Sequence, residues 1–298
     1  MIHTPVLLKE VLEILDPKPN RHFIDATIGE GGHAKSILEK TTPGGMLLGI
    51  DRDIQQIERA RKELSKFQKR IIFINDSFGN LSYILEGQEE VKGISWQGII
   101  FDLGWSQAQI EGSGRGLSFT RNEPLDMRYG RNEKIFSAEE IVNKWRREDI
   151  EGIIRDYGEE RFAKGISEGI VRSRKEKSIT TTFQLADIIK KATPSWYHHR
   201  RIHAATKTFQ ALRIAVNDEY GQIEKGLRAA CSILAKKGTI VAMSFHSGED
   251  RVVKNCFKTF SSSGLGIIIT KKPIRPSEEE IKHNPHSRSA KLRAFKVT

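Results

Sequence analysis

The 298 residues include only two cysteines, Cys231 and Cys256, and their spacing matches neither a disulfide framework nor a zinc-binding pair. No structural metal is expected. The chain also lacks any run of about 18 apolar residues that could cross a bilayer. Its opening stretch, residues 1–15, mixes acids into an amphipathic helical pattern where a signal peptide would keep an unbroken apolar core. A cytoplasmic location with no membrane partner is therefore expected. No internal repeat or low-complexity tract is visible either. What remains is 38% hydrophobic residues, enough for a packed core, in a length that suits about two domains.

Charge is present in excess and unevenly placed. Residues 1–108 carry 13 Lys and Arg against 15 Asp and Glu, residues 109–204 carry 19 against 15, and residues 205–298 carry 17 against 8. The net +11 is thus concentrated in the last third. A basic third beside a neutral half suits a polyanionic partner, although a solvated surface explains a charge excess taken alone equally well.

Three apolar runs each stop at an acid: one at Asp25, leading into Ala26-Thr27-Ile28-Gly29-Glu30-Gly31-Gly32-His33, a second at Asp51 and a third at Asp102. Runs of this kind are buried parallel strands whose carboxyl ends hold a nucleoside cofactor. Glycines in the turn permit positive φ and close ligand approach. Asp51, twenty residues after Gly31, can accept both hydroxyls of a ribose. On the turn and Asp51 alone a nicotinamide dinucleotide fits as well. Three features favour S-adenosylmethionine: the irregular glycine spacing, Asp25 four residues before the first glycine, and the strand ending at Asp102 followed by Leu-Gly. A cofactor without phosphate needs no helix amino terminus aimed at a pyrophosphate, but it needs acceptors for an amine, a ribose and an adenine edge.

Strands are expected near 22–27, 45–51, 71–76, 98–104 and 238–245, with a final pair near 266–271 and 291–297. Helices are expected over 5–15, 32–40, 53–65, 206–236 with a break, and 249–260. More than 130 residues separate the fourth and fifth strands, where a crossover needs about a dozen. Helical periodicity at 138–145, 149–157, 160–171 and 182–191 fills the gap. The expected layout is a doubly wound domain of residues 1–108 and 205–298, interrupted by an inserted helical lid or substrate domain at 109–204. Residues 271–286, with three prolines and the acids Glu278 to Glu280, suggest a surface excursion between the last two strands.

The segments His3 to Glu10, Asp25 to His33, Gly116 to Phe119, Pro124 to Arg128, Tyr157 to Phe162, Thr206 to Arg213 and Ser244 to Arg251 resemble, in order and over nearly the whole chain, the bacterial 16S rRNA (cytosine-N4)-methyltransferase family (RsmH or MraW). The resemblance implies an α/β fold: a Rossmann-like S-adenosylmethionine-dependent methyltransferase core, mostly parallel with an antiparallel terminal strand, carrying an inserted helical domain. It implies S-adenosyl-L-methionine as cofactor and cofactor contacts at Gly31, Gly32, His33, Asp51, Phe78, Asp102 and Gln109. This chain departs from the family pattern at Trp105, Gln107 and Ala108, and again at Ala204, Lys207 and Gly248. Trp105 stands where amino methyltransferases place substrate-facing groups, so an aromatic there could stack a flipped-out base or serve as a buried lid residue.

Asp126, His203 and His246 are the candidates for proton handling, because they stand in polar segments bordering the expected cleft. Each has a structural alternative: Asp126 pairing with Arg128 or Arg115, His203 binding phosphate or capping a helix, His246 stabilising its own turn. The basic segments Tyr197 to His203 and Lys271 to Arg275 suit RNA, through phosphate neutralisation and stacking by Trp196 or Tyr197. The combined reading is N4-methylation of a decoding-centre cytidine in 16S rRNA within the small ribosomal subunit, by a monomer or weak homodimer. The alternatives are a DNA amino-methyltransferase and a non-catalytic RNA-binding ribosome assembly factor on the same fold.

Overall fold

The computed structural model describes residues 5–103, 114–129, 136–200 and 202–298. It divides into two compact units, Met1–Gly104 with Tyr220–Thr298, and Trp105–Glu219.

The first unit is built on a seven-stranded sheet: β1 (His22–Asp25), β2 (Leu47–Asp51), β3 (Ile71–Asn75), β4 (Trp96–Asp102), β5 (Leu234–Ser244), β6 (Gly266–Ile268) and β7 (Lys291–Val297). Their order is β3-β2-β1-β4-β5-β7-β6. The first five run parallel, and β7 lies antiparallel between β5 and β6. Side chains alternate across each strand, so one strand feeds two cores. Ile99 and Phe101 of β4 join Ile24, Leu227 and Phe257 on one face, while Ile100 joins Phe23, Ile37 and Ile57 on the other. Burial on both faces explains why these strands read as unbroken apolar runs.

Helices α1 (Leu8–Leu15), α2 (Gly32–Lys40) and α3 (Ile54–Glu63) pack on one face of the sheet. Three more, α4 (Leu81–Gly87), α11 (Glu219–Ile233) and α12 (Ser247–Ser262), pack on the other. The chain winds outward from β1 to β3 and then returns to the opposite side of β1 as β4. This reversal is the topological switch point, and it opens a crevice at the carboxyl ends of β1 and β4. Among the described residues, no helix is long and apolar enough to cross a membrane.

The second unit is helical: α5 (Ala138–Lys144), α6 (Arg147–Asp156), α7 (Ala163–Glu176), α8 (Thr182–Lys191), α9 (Ser195–His198) and α10 (Thr206–Asn217). Capping boxes at Ser137 with Glu140 and at Thr181 with Gln184 start α5 and α8. Ile141, Ile154, Ile166, Leu185 and Phe209 share its core.

Several boundaries differ from the sequence expectation. The stretch expected over 206–236 has its break at Asp218, which adopts a left-handed conformation with φ 49°, so the first helix ends at Asn217. This first helix, α10, buries Phe209, Leu212 and Val216 in the core of the second unit, not beside the sheet. The fifth strand begins at Leu234 because that residue pairs with Trp96. In the tail, Glu278 to Glu280 form the acidic first turn of a short helix, α13 (Glu278–His283), capped by Ser277, where they complement the positive amino end.

Candidate active site

Three carboxylates converge at the carboxyl edge of the first unit's sheet, each the last residue of its strand: Asp25 of β1, Asp51 of β2 and Asp102 of β4. The backbone after β1 holds them in place. Thr27 donates its amide to Asp25 Oδ1 at 3.2 Å, and its hydroxyl accepts the Asp102 amide at 2.6 Å. Gly29 donates to Asp51 Oδ2 at 3.0 Å, and Asp53 donates to Asp51 Oδ1 at 2.9 Å. The turn is thus tied to three strands at once.

Gly31 ends the turn as the residue before α2, with φ 89°, and a Cβ there would stand 2.9 Å from Leu64 Cδ1. Only glycine serves at such a position. His33 is buried in the first turn of α2; its Nε2 lies 2.9 Å from the Val6 carbonyl oxygen and its Nδ1 3.8 Å from Asp102 Oδ2. Phe78 meets Phe101 edge to face, with centroids 5.6 Å apart.

Crowding of carboxylates in a dry environment raises their proton affinity. Burial pushes the Asp25 carboxyl up to about 8; the Thr27 amide opposes the shift, and the Asp102 and Asp51 charges reinforce it. Burial likewise pushes Asp51 up to about 6, against the amides of Asp53 and Gly29. A positive charge brought to this edge would favour the ionised carboxylates.

Of the expected cofactor contacts, Gly31, Gly32, His33, Asp51, Phe78 and Asp102 all belong to this unit, and the turn, His33, Asp51 and Asp102 are linked by the bonds above. Gln109 lies outside the described residues, as does Trp105. Asp25 and Thr27 were not among the expected contacts. Asp25 carried the same signal as the other two acids, an apolar run ending in a carboxylate, whereas the Thr27 hydroxyl bond had no sequence signature.

The candidates for proton handling divide between the units. Asp126 and His203 fall in the second, His246 in the first. Asp126 takes a bidentate bond from Arg128, at 2.5 and 3.2 Å. His203 Nδ1 accepts the Ala205 amide at 3.2 Å while its ring stacks on Phe119 with centroids 4.7 Å apart. His246 follows β5 and caps α12, its Nδ1 3.4 Å from the Glu249 amide. Glu249 accepts the Phe245 and His246 amides in return, and its Oε1 lies 3.1 Å from His246 Nε2.

The aromatic pair beside the first basic segment separates in role. Tyr197 is buried and donates its hydroxyl to Glu160 at 2.5 Å, which with burial pushes its pKa up to about 12. It is not available to stack on a base. Trp196 is 52% exposed, with the Arg161 guanidinium 4.4 Å from its ring centroid.

A family model described as the MraW methylase family matches residues 1–298. A protein of Sulfurihydrogenibium sp. named ribosomal RNA small subunit methyltransferase H is 47% identical over 291 residues, covering 98% of this chain and 97% of that protein. A protein of the same name from Persephonella marina is 45% identical over 294 residues, covering 99% and 98%.

Proposed function

Because this chain belongs to the MraW methylase family, we propose that it transfers a methyl group from S-adenosylmethionine to the exocyclic N4 amine of a decoding-centre cytidine in 16S rRNA. The observation that carries the cofactor assignment is the set of carboxylates Asp25, Asp51 and Asp102 around one glycine turn. A dinucleotide would bring a pyrophosphate to an acidic edge, which like-charge repulsion opposes, whereas a sulfonium-bearing amino acid brings positive charge.

The residues present fit that cofactor. Asp51 accepts the Gly29 amide on Oδ2 and the Asp53 amide on Oδ1, with the Arg52 amide also bonded to it, and a carboxylate held in this way is the acceptor that a ribose requires. Gly31 and Gly32 admit backbone approach, Phe78 offers an apolar wall, and Asp102 and Gln109 offer polar contacts to the adenine or methionine end. When bound, S-adenosylmethionine supplies a methyl group activated by a cationic sulfonium. The protein's part is to hold the amine in line and to accept hydrogen bonds from it, since the amine lone pair is delocalised into the ring. His246, at the end of β5, Asp126 and His203 are our candidates for proton handling. Because Arg128 occupies both Asp126 oxygens, Asp126 serves as an orienting acceptor and not as a strong base. Solvent suffices as the final proton sink.

The test is methyl transfer from labelled cofactor to small ribosomal subunits lacking the modification, with nucleoside mass spectrometry of the product. Efficient formation of N4-methylcytidine on subunits and poor transfer to duplex DNA are expected. Equal transfer to DNA would favour a DNA amino-methyltransferase. Cofactor binding with no transfer to any substrate would indicate a silent assembly factor.

A further inference from the structure

The span from Arg251 to Ser277 contains six cations, Arg251, Lys254, Lys258, Lys271, Lys272 and Arg275, and no Asp or Glu. The fold gathers part of this span into one place. Residues 251, 254 and 258 follow helical spacing along one face of α12. Lys254 and Lys258 line a groove with Ser261, Thr270, Lys271 and Arg293, over the apolar Phe257 and Ile268. Lys258 and Lys271 are exposed, and among the described residues neither they nor Lys254 has a carboxylate partner.

The nearest acid in the sequence does not offset them. Asp250 is held by Arg293, at 2.6 and 3.2 Å, with Lys291 3.5 Å away, so its charge is already matched by two cations. The helix dipole does not account for the lysines either, since the last turn of α12 holds no basic residue. Thr270 Oγ1 accepts the Ala294 amide at 2.8 Å and keeps its own proton to donate. Free cations and a hydroxyl donor drawn from two separated segments suit a partner with repeating negative charge.

We infer that this groove on the cofactor-binding unit docks the phosphate backbone of the RNA substrate, an assignment that rests on the rRNA reading above. It places a sequence-independent anchor on the sheet-bearing unit, in the segment 254–271, apart from the residues that hold the cofactor.

The test compares the parent with the triple variants Lys254→Ala/Lys258→Ala/Lys271→Ala and Lys254→Arg/Lys258→Arg/Lys271→Arg. Binding to unmodified small subunits and to protein-free 16S rRNA is measured over a salt series, with cofactor affinity as the check on folding. The alanine variant is expected to bind both RNA forms roughly tenfold or more weakly near 0.1 M salt. Its plot of log affinity against log salt should be shallower by roughly two, for three lost phosphate contacts. The arginine variant should match the parent, and all three proteins should bind the cofactor alike. Parent-like affinity and slope in the alanine variant would overturn the groove. A loss seen on subunits but not on protein-free rRNA would also overturn it, in favour of an acidic protein surface. A parent that binds neither RNA form would instead bring down the rRNA reading itself.

Discussion

His33 and Asp102 face each other across the cofactor edge, with Nδ1 3.8 Å from Oδ2, while the other ring nitrogen of His33 meets the Val6 carbonyl oxygen at 2.9 Å. A carbonyl only accepts, so Nε2 carries a proton. The ring therefore ties the segment before α1 to the start of α2 and turns its second nitrogen towards β4.

Replacing His33 with alanine leaves the buried Val6 carbonyl without its donor, which costs about 1–3 kcal/mol. The His33→Ala variant should melt several degrees lower and bind S-adenosylmethionine several-fold more weakly. Differential scanning calorimetry and titration calorimetry measure the two effects. Parent-like values in both would mean that the ring is idle.

Asp51→Ala removes the acceptor for the backbone amides of Gly29, Arg52 and Asp53 and, in the proposed complex, for the ribose hydroxyls. Cofactor affinity should fall by tenfold or more, at about 1.5–3 kcal/mol for each bond to a charged group. Asp51→Asn retains one acceptor oxygen and should fall between. An alanine variant that binds S-adenosylmethionine as the parent does would sink the ribose assignment.

The shifts at Asp25 and Asp51 predict the stability of the free protein against pH. Both folded-state pKa values lie above the ordinary 3.8, at about 8 and about 6. The folded state therefore binds more protons than the unfolded chain, and the stabilisation is present at low pH and lost as pH rises through these values. Above about pH 7 Asp51 is largely ionised and, of the two, Asp25 is the one still titrating, up to about pH 9. Asp25→Asn should flatten the fall in Tm across that window. A slope unchanged from the parent would remove Asp25 as its source.

His246 has a structural duty as helix cap, and its chemical role has to be separated from it. Asparagine is a good cap, so His246→Asn should hold Tm near the parent, while His246→Ala costs about 1 kcal/mol. If the imidazole orients the amine or takes its proton, single-turnover transfer should drop by about a hundredfold in both variants, with cofactor affinity unchanged. Full transfer by His246→Asn would reduce the residue to a cap. The same assay on Asp126→Ala and His203→Ala shows whether the inserted unit contributes to the rate or only to binding.

The strands were legible because apolar runs closed by acids have one economical reading in a sheet covered on both faces, and Asp25, Asp51 and Asp102 mark its working edge. The placement of β7 between β5 and β6 was not legible, since pairing partners far apart in sequence leave no local pattern. A break within 206–236 was legible, but its place was not, because Asp218 adopts a left-handed conformation that its type tolerates without demanding. Tyr197 read as a surface aromatic because its neighbours are basic, but it is packed in the core of the helical unit, with its hydroxyl bonded to Glu160. Asp126 showed the converse: Arg128, two residues on, was visible as a partner from the start.

The position of β7 also sets a timetable for synthesis. A nascent chain emerges from the ribosome amino end first, yet residues 291–297 must slot between β5 and β6, which are made earlier. Until they arrive, β5 presents an open row of backbone donors and acceptors, from Thr239 to Ser244, to whatever strand is near. The helical unit, made from one continuous stretch, has no such wait. While residues 245–290 are being made, a growing polypeptide thus has one half able to fold and the other exposed along a sticky edge, the kind of interval in which chaperones act.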